Sequence, residues 1–292
     1  MNRLISHRSL LVLLVILPLG GCKKEIGPDH YYNLGMEWVK NNEPAEAVTN
    51  FDTAIEMNPK YAEAYARRAE CKQGMEQYAE ARTDYDAALR INPKLASAFA
   101  ARAKLDLLEE LPDQAIIDAD AAIKLDAKMG EAYLYRGQAR MQLADYDLAA
   151  EDMVEANRLM QHGSGEANAQ AHAMLGKIYF IKKDYTESIY NYSLAVDFYN
   201  AHIRRFPKHQ VTVTSQEGKV WAGKAAYEAA AEVFAGRAAA YLSLDQLTEA
   251  NEDVKKAVRL NETSTEALFQ QAQTLVRTKR YYEAKRVLNT AI

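Results

Sequence analysis

The residues that could carry out covalent, catalytic or metal chemistry are few in this chain. Among 292 residues there are 2 cysteines and 6 histidines, with no paired-histidine motif and no cysteine pair at ligand spacing. The sequence also lacks a glycine-rich phosphate loop and a nucleophile elbow. His172 has no catalytic partner in its motif, and Cys71 is interpreted as a small helix residue. We therefore predict no catalytic site, no metal site and no cofactor, and we do not expect an enzyme.

The charged residues favour neither nucleic acid nor a small-molecule substrate as a partner. The chain has 36 basic and 40 acidic residues and a net charge of −4, which gives no electrostatic reason to bind a polyanion. Acidic residues such as Asp118 and Asp120 are interpreted as parts of solvent-facing helix surfaces. A hydrophobic content of 49% with 26% charged residues excludes a disordered chain. We expect a protein or peptide partner.

Cys22, the other cysteine, follows a targeting segment. Arg3 and Arg8 precede an apolar run over residues 10–19. Ten helical residues rise about 15 Å, roughly half of a bilayer's hydrocarbon core. The segment is therefore predicted to be a secretory signal rather than a spanning helix.

The residues around Cys22 resemble the lipobox of bacterial lipoproteins: Leu19, Gly20 and Gly21 directly precede the cysteine. The resemblance implies cleavage after Gly21, a diacylglycerol thioether on Cys22 and acylation of the new N-terminus. Residues 1–21 would then be the signal peptide, and residues 22–27 a lipidated tether. Lys23 rather than aspartate follows the cysteine, which implies attachment to the outer membrane, facing the periplasm.

The remaining chain repeats at an interval of 34 residues. Small residues recur at positions 8 and 20 of the unit, and position 27 is alanine in all seven copies. The copies are predicted at 28–61, 62–95, 96–129, 130–163, 169–202, 231–264 and 265–292, with an insertion at 203–230.

These positions resemble the tetratricopeptide repeat (TPR). The first copy also supplies the large residues of that pattern and its proline, as Tyr31, Leu34, Trp38, Phe51 and Pro59. The resemblance implies an all-α, right-handed solenoid of about seven helix-turn-helix repeats, with a two-helix extension between the fifth and sixth. Later copies depart from the pattern, and position 7 is arginine in four of them: Arg68, Arg102, Arg136 and Arg237.

In this family the first helix of each repeat lines a ligand groove. By position, the resemblance assigns to the groove Leu107, Leu134, Gln138, Met141, Lys177, Phe180 and Ile181. This mostly apolar set favours an amphipathic helix or an extended peptide as the ligand. The alternative is that several of these side chains pack within the stack. The lysines and asparagines with which chaperone adaptors of the family hold a C-terminal carboxylate are absent, since those positions are Tyr32, Met36, Arg67, Ser97 and Ala101.

The insertion is the least repeat-like segment. The second helix of the fifth repeat is predicted to continue to Phe206, before Pro207. Thr214 and Glu217 form a possible capping box that opens a helix towards residue 243. We expect the two long helices to pack together and hypothesise that Phe206, Trp221 and Tyr227 contact a partner. The alternative is a structural spacer whose aromatic residues pack on each other.

The sequence thus predicts a lipid-anchored scaffold that binds proteins within a bacterial envelope complex. Two other functions remain open: a chaperone-like adaptor for exported proteins, and a regulator of a cell-wall enzyme.

Overall fold

The computed structural model describes residues 27–160, 165–205 and 217–291. Within these ranges the chain is all α-helical and forms fourteen helices. They are α1 (Pro28–Lys40), α2 (Pro44–Met57), α3 (Ala62–Gly74), α4 (Tyr78–Ile91), α5 (Ala96–Leu108), α6 (Pro112–Leu125), α7 (Gly130–Gln142), α8 (Tyr146–Met160), α9 (Gly165–Ile181), α10 (Tyr185–Arg205), α11 (Glu217–Ser243), α12 (Leu247–Leu260), α13 (Thr265–Arg277) and α14 (Tyr281–Ala291). The predicted signal peptide, Cys22, Phe206 and Thr214 lie outside the described residues, as does the side chain of Trp221.

The helices pair as hairpins that stack on one another. Each odd-numbered helix packs on the even-numbered helix that follows it, and each pair packs on the next pair. From α3 to α13, every odd helix also contacts the next odd helix, whereas successive even helices make at most marginal contact. The odd helices therefore lie closer together and line the inner, concave side of the solenoid.

The turn inside each hairpin has one conformation throughout. Its second residue is left-handed in all seven described hairpins, with φ between 58° and 63°, although none of these residues is glycine. In the first turn this residue is Asn42, and the amide of Glu43 donates to the carbonyl oxygen of Trp38 at 3.0 Å. That bond closes a Schellman motif, which satisfies carbonyls left free at the end of the helix.

Small residues allow the helices of a hairpin to approach closely. Ala47, Ala81, Ala115 and Ala149 at position 20 are fully buried. At position 8, a methyl group added to Gly35 would lie 2.6 Å from the Phe51 ring. Larger residues at these crossings would force the helices apart.

The two longest helices lie next to each other, as predicted. α10 has 21 residues and α11 has 27. Val196 and Tyr199 of α10 form one buried cluster with Val233 and Phe234 of α11. Tyr227, predicted to contact a partner, is 6% exposed, which favours the structural alternative for this residue.

Candidate functional site

The arginines at position 7 bridge neighbouring hairpins. Arg102 of α5 donates through Nε and Nη2 to Asp118 of α6 at 2.6 and 2.8 Å, and through Nη1 to Asp86 of α4 at 2.6 Å. Its guanidinium also lies over the Phe99 ring. We call this arrangement an arginine bridge. Arg68 and Arg136 repeat it with their own pairs of aspartates, and Arg237 pairs with Asp253 and Ser193.

The interpretation as a solvated helix surface is wrong for Asp118, whereas Asp120 is exposed as expected. Asp118 is only 5% exposed and is held by Arg102. Asp120 is more exposed but accepts a hydrogen bond from Arg136 at 2.6 Å. The hydrogen bond with Asp118 is the main reason that the pKa of Arg102 is raised above its usual value. Where position 7 is arginine, as in α5, that arginine pairs with aspartates sixteen residues before and after it in the sequence.

Two of the later hairpins lack this bridge. Position 7 is Leu175 in α9 and Gln271 in α13. In α9, Nδ1 of His172 lies 3.3 Å from both Asn157 Nδ2 of α8 and Asn191 Oδ1 of α10. Burial lowers the pKa of His172, and the hydrogen bond that the ring can donate to Asn191 Oδ1 opposes that shift. A neutral network therefore joins α8, α9 and α10.

A cavity of about 730 Å³ opens on the concave side in this region. Its walls come from α9, α11, the turn after α12 and the start of α13. We call it the α9–α13 cavity. Met174, Phe180 and Ile181 give it an apolar side, and Lys177 lies on the same helix.

Two glycines place Tyr192 at the floor of the cavity. A methyl group added to Gly176 of α9 would lie 2.7 Å from the Tyr192 ring, and one added to Gly236 of α11 would lie 2.5 Å from it. The ring of this α10 residue therefore fits between α9 and α11 only because both positions lack a side chain. Tyr192 lines the cavity although it is 6% exposed.

Part of the cavity lining is polar and acidic, and we call this part the acidic wall. Glu232 of α11, Glu266 and Gln270 of α13 all line the cavity. Nε2 of Gln270 donates to Oε1 of Glu266 at 2.7 Å, which fixes the orientation of that carboxylate.

The predicted groove residues separate into three groups. Lys177, Phe180 and Ile181 line the α9–α13 cavity. Leu107, Gln138 and Met141 lie half-buried on α5 and α7, outside that cavity. Leu134 is 1% exposed and packs inside the stack, so it offers no surface to a ligand.

Sequence reasoning missed the acidic wall. Glu232 and Glu266 both occupy position 2 of their repeats, which is one of the groove positions of the family. Applying that position to the last two copies, and not only to the central ones, would have found them.

In the described part of the chain, no cluster of three or more histidine, cysteine or acidic residues is arranged to hold a metal ion. Cys71 is buried, and burial raises the pKa of its thiol to about 11. None of the described helices combines the length and the apolar character needed to cross a bilayer.

Comparison with known proteins agrees with this architecture. Residues 39–105 match the family model of the tetratricopeptide repeat. No curated protein sequence matches the chain significantly.

Solved structures resemble the chain over most of its length. The structure of PilF from Pseudomonas aeruginosa is 16% identical, covers 84% of this chain and 97% of its own, and gives a TM-score of 0.64. PilW, described as a widely conserved type IV pilus biogenesis factor, is 17% identical over 85% of this chain and 98% of its own, with a TM-score of 0.62. A tetratricopeptide repeat protein from Parabacteroides merdae is 15% identical over 90% and 98%, with a TM-score of 0.55. Such repeats generally form non-catalytic scaffolds for protein interaction, and the matched repeat together with these structures shows that this chain has the tetratricopeptide-repeat solenoid fold.

Proposed function

We propose that this protein is a lipid-anchored scaffold of the bacterial envelope that binds a helical or extended peptide segment on its concave side. The observation that carries the proposal is the α9–α13 cavity, since it opens on the face lined by odd helices and combines an apolar side with polar groups. Peptide-binding grooves have this composition, because apolar contacts supply affinity and a few polar groups fix the orientation.

The proposed anchor is the lipid on Cys22. α1 begins at Pro28, so residues 22–27 form the whole tether. Six extended residues span at most about 20 Å, which keeps α1 close to the membrane surface. Attachment to the outer membrane on its periplasmic side follows from Lys23 after the cysteine. The similarity to PilW, a pilus biogenesis factor, supports a role in the envelope.

Site-specific photo-crosslinking in cells tests the binding surface. A photoreactive residue at Ile181 lies in the cavity, while one at Ile117 lies on α6, outside the cavity. Both isoleucines are exposed, at 40% and 59%, which makes Ile117 a matched control. We expect a discrete protein adduct from Ile181 and none from Ile117. Equal adducts from both sites, or none from Ile181, would contradict the proposal.

The same experiment separates the other functions. Adducts of many sizes from Ile181 would favour a chaperone-like adaptor for exported proteins over a scaffold. A single adduct that is a cell-wall enzyme would favour a regulator of that enzyme. Fractionation of the Cys22→Ser variant tests the anchor, because we expect this variant to leave the membrane fraction.

A further inference from the structure

One buried polar atom beside the α9–α13 cavity has no partner. Gln270 is 5% exposed, and its Oε1 is buried without a hydrogen bond, whereas its Nε2 donates a hydrogen bond to Glu266. An unpaired buried acceptor is destabilising, and native proteins seldom retain one unless it has a role. Gln270 also lines the cavity, so its amide lies beside any ligand bound there.

Two carboxylates converge on the same place. Burial first, and then the charges of Glu266 and Glu232, raise the pKa of the Tyr192 phenol. Tyr192, Glu232 and Glu266 all line the cavity, although they belong to three different helices. Within the described residues, neither Glu232 nor Glu266 has a basic side chain within ion-pair distance, and Lys177 across the cavity pairs with neither.

These groups all accept hydrogen bonds or carry negative charge. A ligand that brings donors and positive charge would satisfy the Gln270 oxygen and pair with the two carboxylates. A guanidinium or an ammonium does both, and a guanidinium offers five donors in a plane.

We propose that the α9–α13 cavity binds the cationic side chain of a partner peptide, an arginine or a lysine, through Glu232, Glu266 and Gln270. This inference rests on the proposed peptide-binding function and adds the chemistry of the ligand. Phe180 and Ile181 would contact an apolar side chain next to the cation. Lys177 would donate a hydrogen bond to a backbone carbonyl oxygen of the same segment.

Fluorescent peptide pools measure this preference directly. Four pools of eleven-residue peptides, random outside the centre, carry arginine, citrulline, glutamate or leucine at the central residue. Citrulline keeps the shape of arginine without its charge. Their binding to residues 22–292 with Cys22→Ser is followed by fluorescence anisotropy. We expect the arginine pool to bind about tenfold more tightly than the citrulline pool, the effect of one charge-assisted hydrogen bond.

Two double variants test the carboxylates. In Glu232→Gln with Glu266→Gln, the preference for arginine over citrulline should disappear. In Glu249→Gln with Glu252→Gln, it should remain, because both of these exposed residues lie on α12, outside the cavity, and the change in charge is the same.

The Gln270→Leu variant tests whether Gln270 contacts the ligand or only stabilises the fold. Removing the buried, unpaired Oε1 should raise the midpoint of thermal unfolding by a few degrees, and loss of the amide should weaken binding of the arginine pool. A loss of stability together with a loss of binding would contradict the role of Gln270.

The outcomes distinguish the two proposals. Equal binding of the arginine and citrulline pools, or a preference for the glutamate pool, overturns the cation site and leaves the scaffold function intact. If no pool binds while Ile181 still forms its adduct in cells, the cation site is wrong and the scaffold remains. If no pool binds and Ile181 forms no adduct, both proposals are wrong.

Discussion

The hairpins around α3, α5 and α7 differ from those around α9 and α13 in how neighbouring helices are joined. In the first group an arginine bridge fills position 7 and pairs with aspartates of two flanking helices. In the second group position 7 is uncharged, and the α9–α13 cavity lies on the concave side. α11 has features of both, because Arg237 pairs with Asp253 while Glu232 and Gly236 line the cavity.

This difference indicates that stability and binding are concentrated in different parts of one stack. Charges that leave water need paired partners, so each bridge restricts how two hairpins can sit on each other. Where no bridge fixes the interface, a tyrosine packed between two glycines and an unpaired amide oxygen leave a site that is less than optimally stable. Native proteins commonly accept such a cost where they bind ligands.

The largest expected effect is the loss of a bridge. Arg102→Ala leaves Asp118 buried and unpaired, and breaking a buried pair in this way should lower the free energy of unfolding by about 3 kcal/mol. Replacing both partners in Arg102→Met with Asp118→Leu should restore most of that loss. Urea denaturation measures both.

Arg67→Ala is the control for the bridge. Arg67 pairs with Glu70 near the surface of the same region, so its removal should cost less than about 1 kcal/mol. An equal loss for Arg67 and Arg102 would show that the bridges have no special weight.

The second prediction concerns the glycines around Tyr192. Gly236→Ala or Gly176→Ala places a methyl group against the ring and should cost about 1 to 3 kcal/mol by overpacking. The displaced ring should also reduce crosslinking from Ile181. Gly74→Ala in α3 meets no atom within 4 Å and should be neutral or slightly stabilising. Thermal unfolding followed by circular dichroism compares the three variants.

The third prediction uses pH to weaken the His172 network that joins α8, α9 and α10. Because the pKa of His172 is lowered in the folded state, the unfolded chain binds a proton more readily. The stability that depends on neutral His172 is therefore present above its usual pKa of 6.5 and is lost as the pH falls through the lowered folded value. His172→Gln should flatten the part of the stability profile between pH 7 and pH 5. An unchanged slope would show that His172 does not titrate in this window.

The smallest effect should be common to both regions. Ala144 and Lys183 take the same left-handed turn conformation, with φ of 63°, although one precedes α8 and the other α10. Replacing either by glycine should stabilise the chain by about 0.5 to 1 kcal/mol, since the strain of a side chain there exceeds the added entropy of glycine. A gain in only one of them would indicate that the hairpins differ in their turns as well.

The 34-residue repeat made the architecture predictable from the sequence, whereas the pairing of arginines with aspartates was harder to predict. The copies predicted from Pro28, Ala62, Ala96 and Gly130 coincide with the starts of α1, α3, α5 and α7. Arginine at position 7 departs from the family pattern, and the aspartates that pair with it belong to the preceding and following even helices. The bridges are visible in the sequence only as aspartates sixteen residues before and after an arginine such as Arg102.

The candidate site was harder to predict because it depends on glycines, which leave room for a ring from another helix, and on residues far apart in the sequence. Phe180 and Ile181 could be placed from their repeat positions. The role of Gly236 could not, since its importance lies in the ring of Tyr192, which comes from another helix.

The sequence by itself determined the helical repeat, because small residues that recur every 34 positions are typical of helical hairpins that pack closely in a stack. Only the tertiary structure decided where that stack leaves room for a ligand. The cavity arises from side chains of four helices that meet in space, and whether Glu232, Glu266 and Gln270 converge depends on how α11 and α13 pack. Local patterns cannot specify such a convergence, since it is a property of the packing between repeats and not of any one repeat.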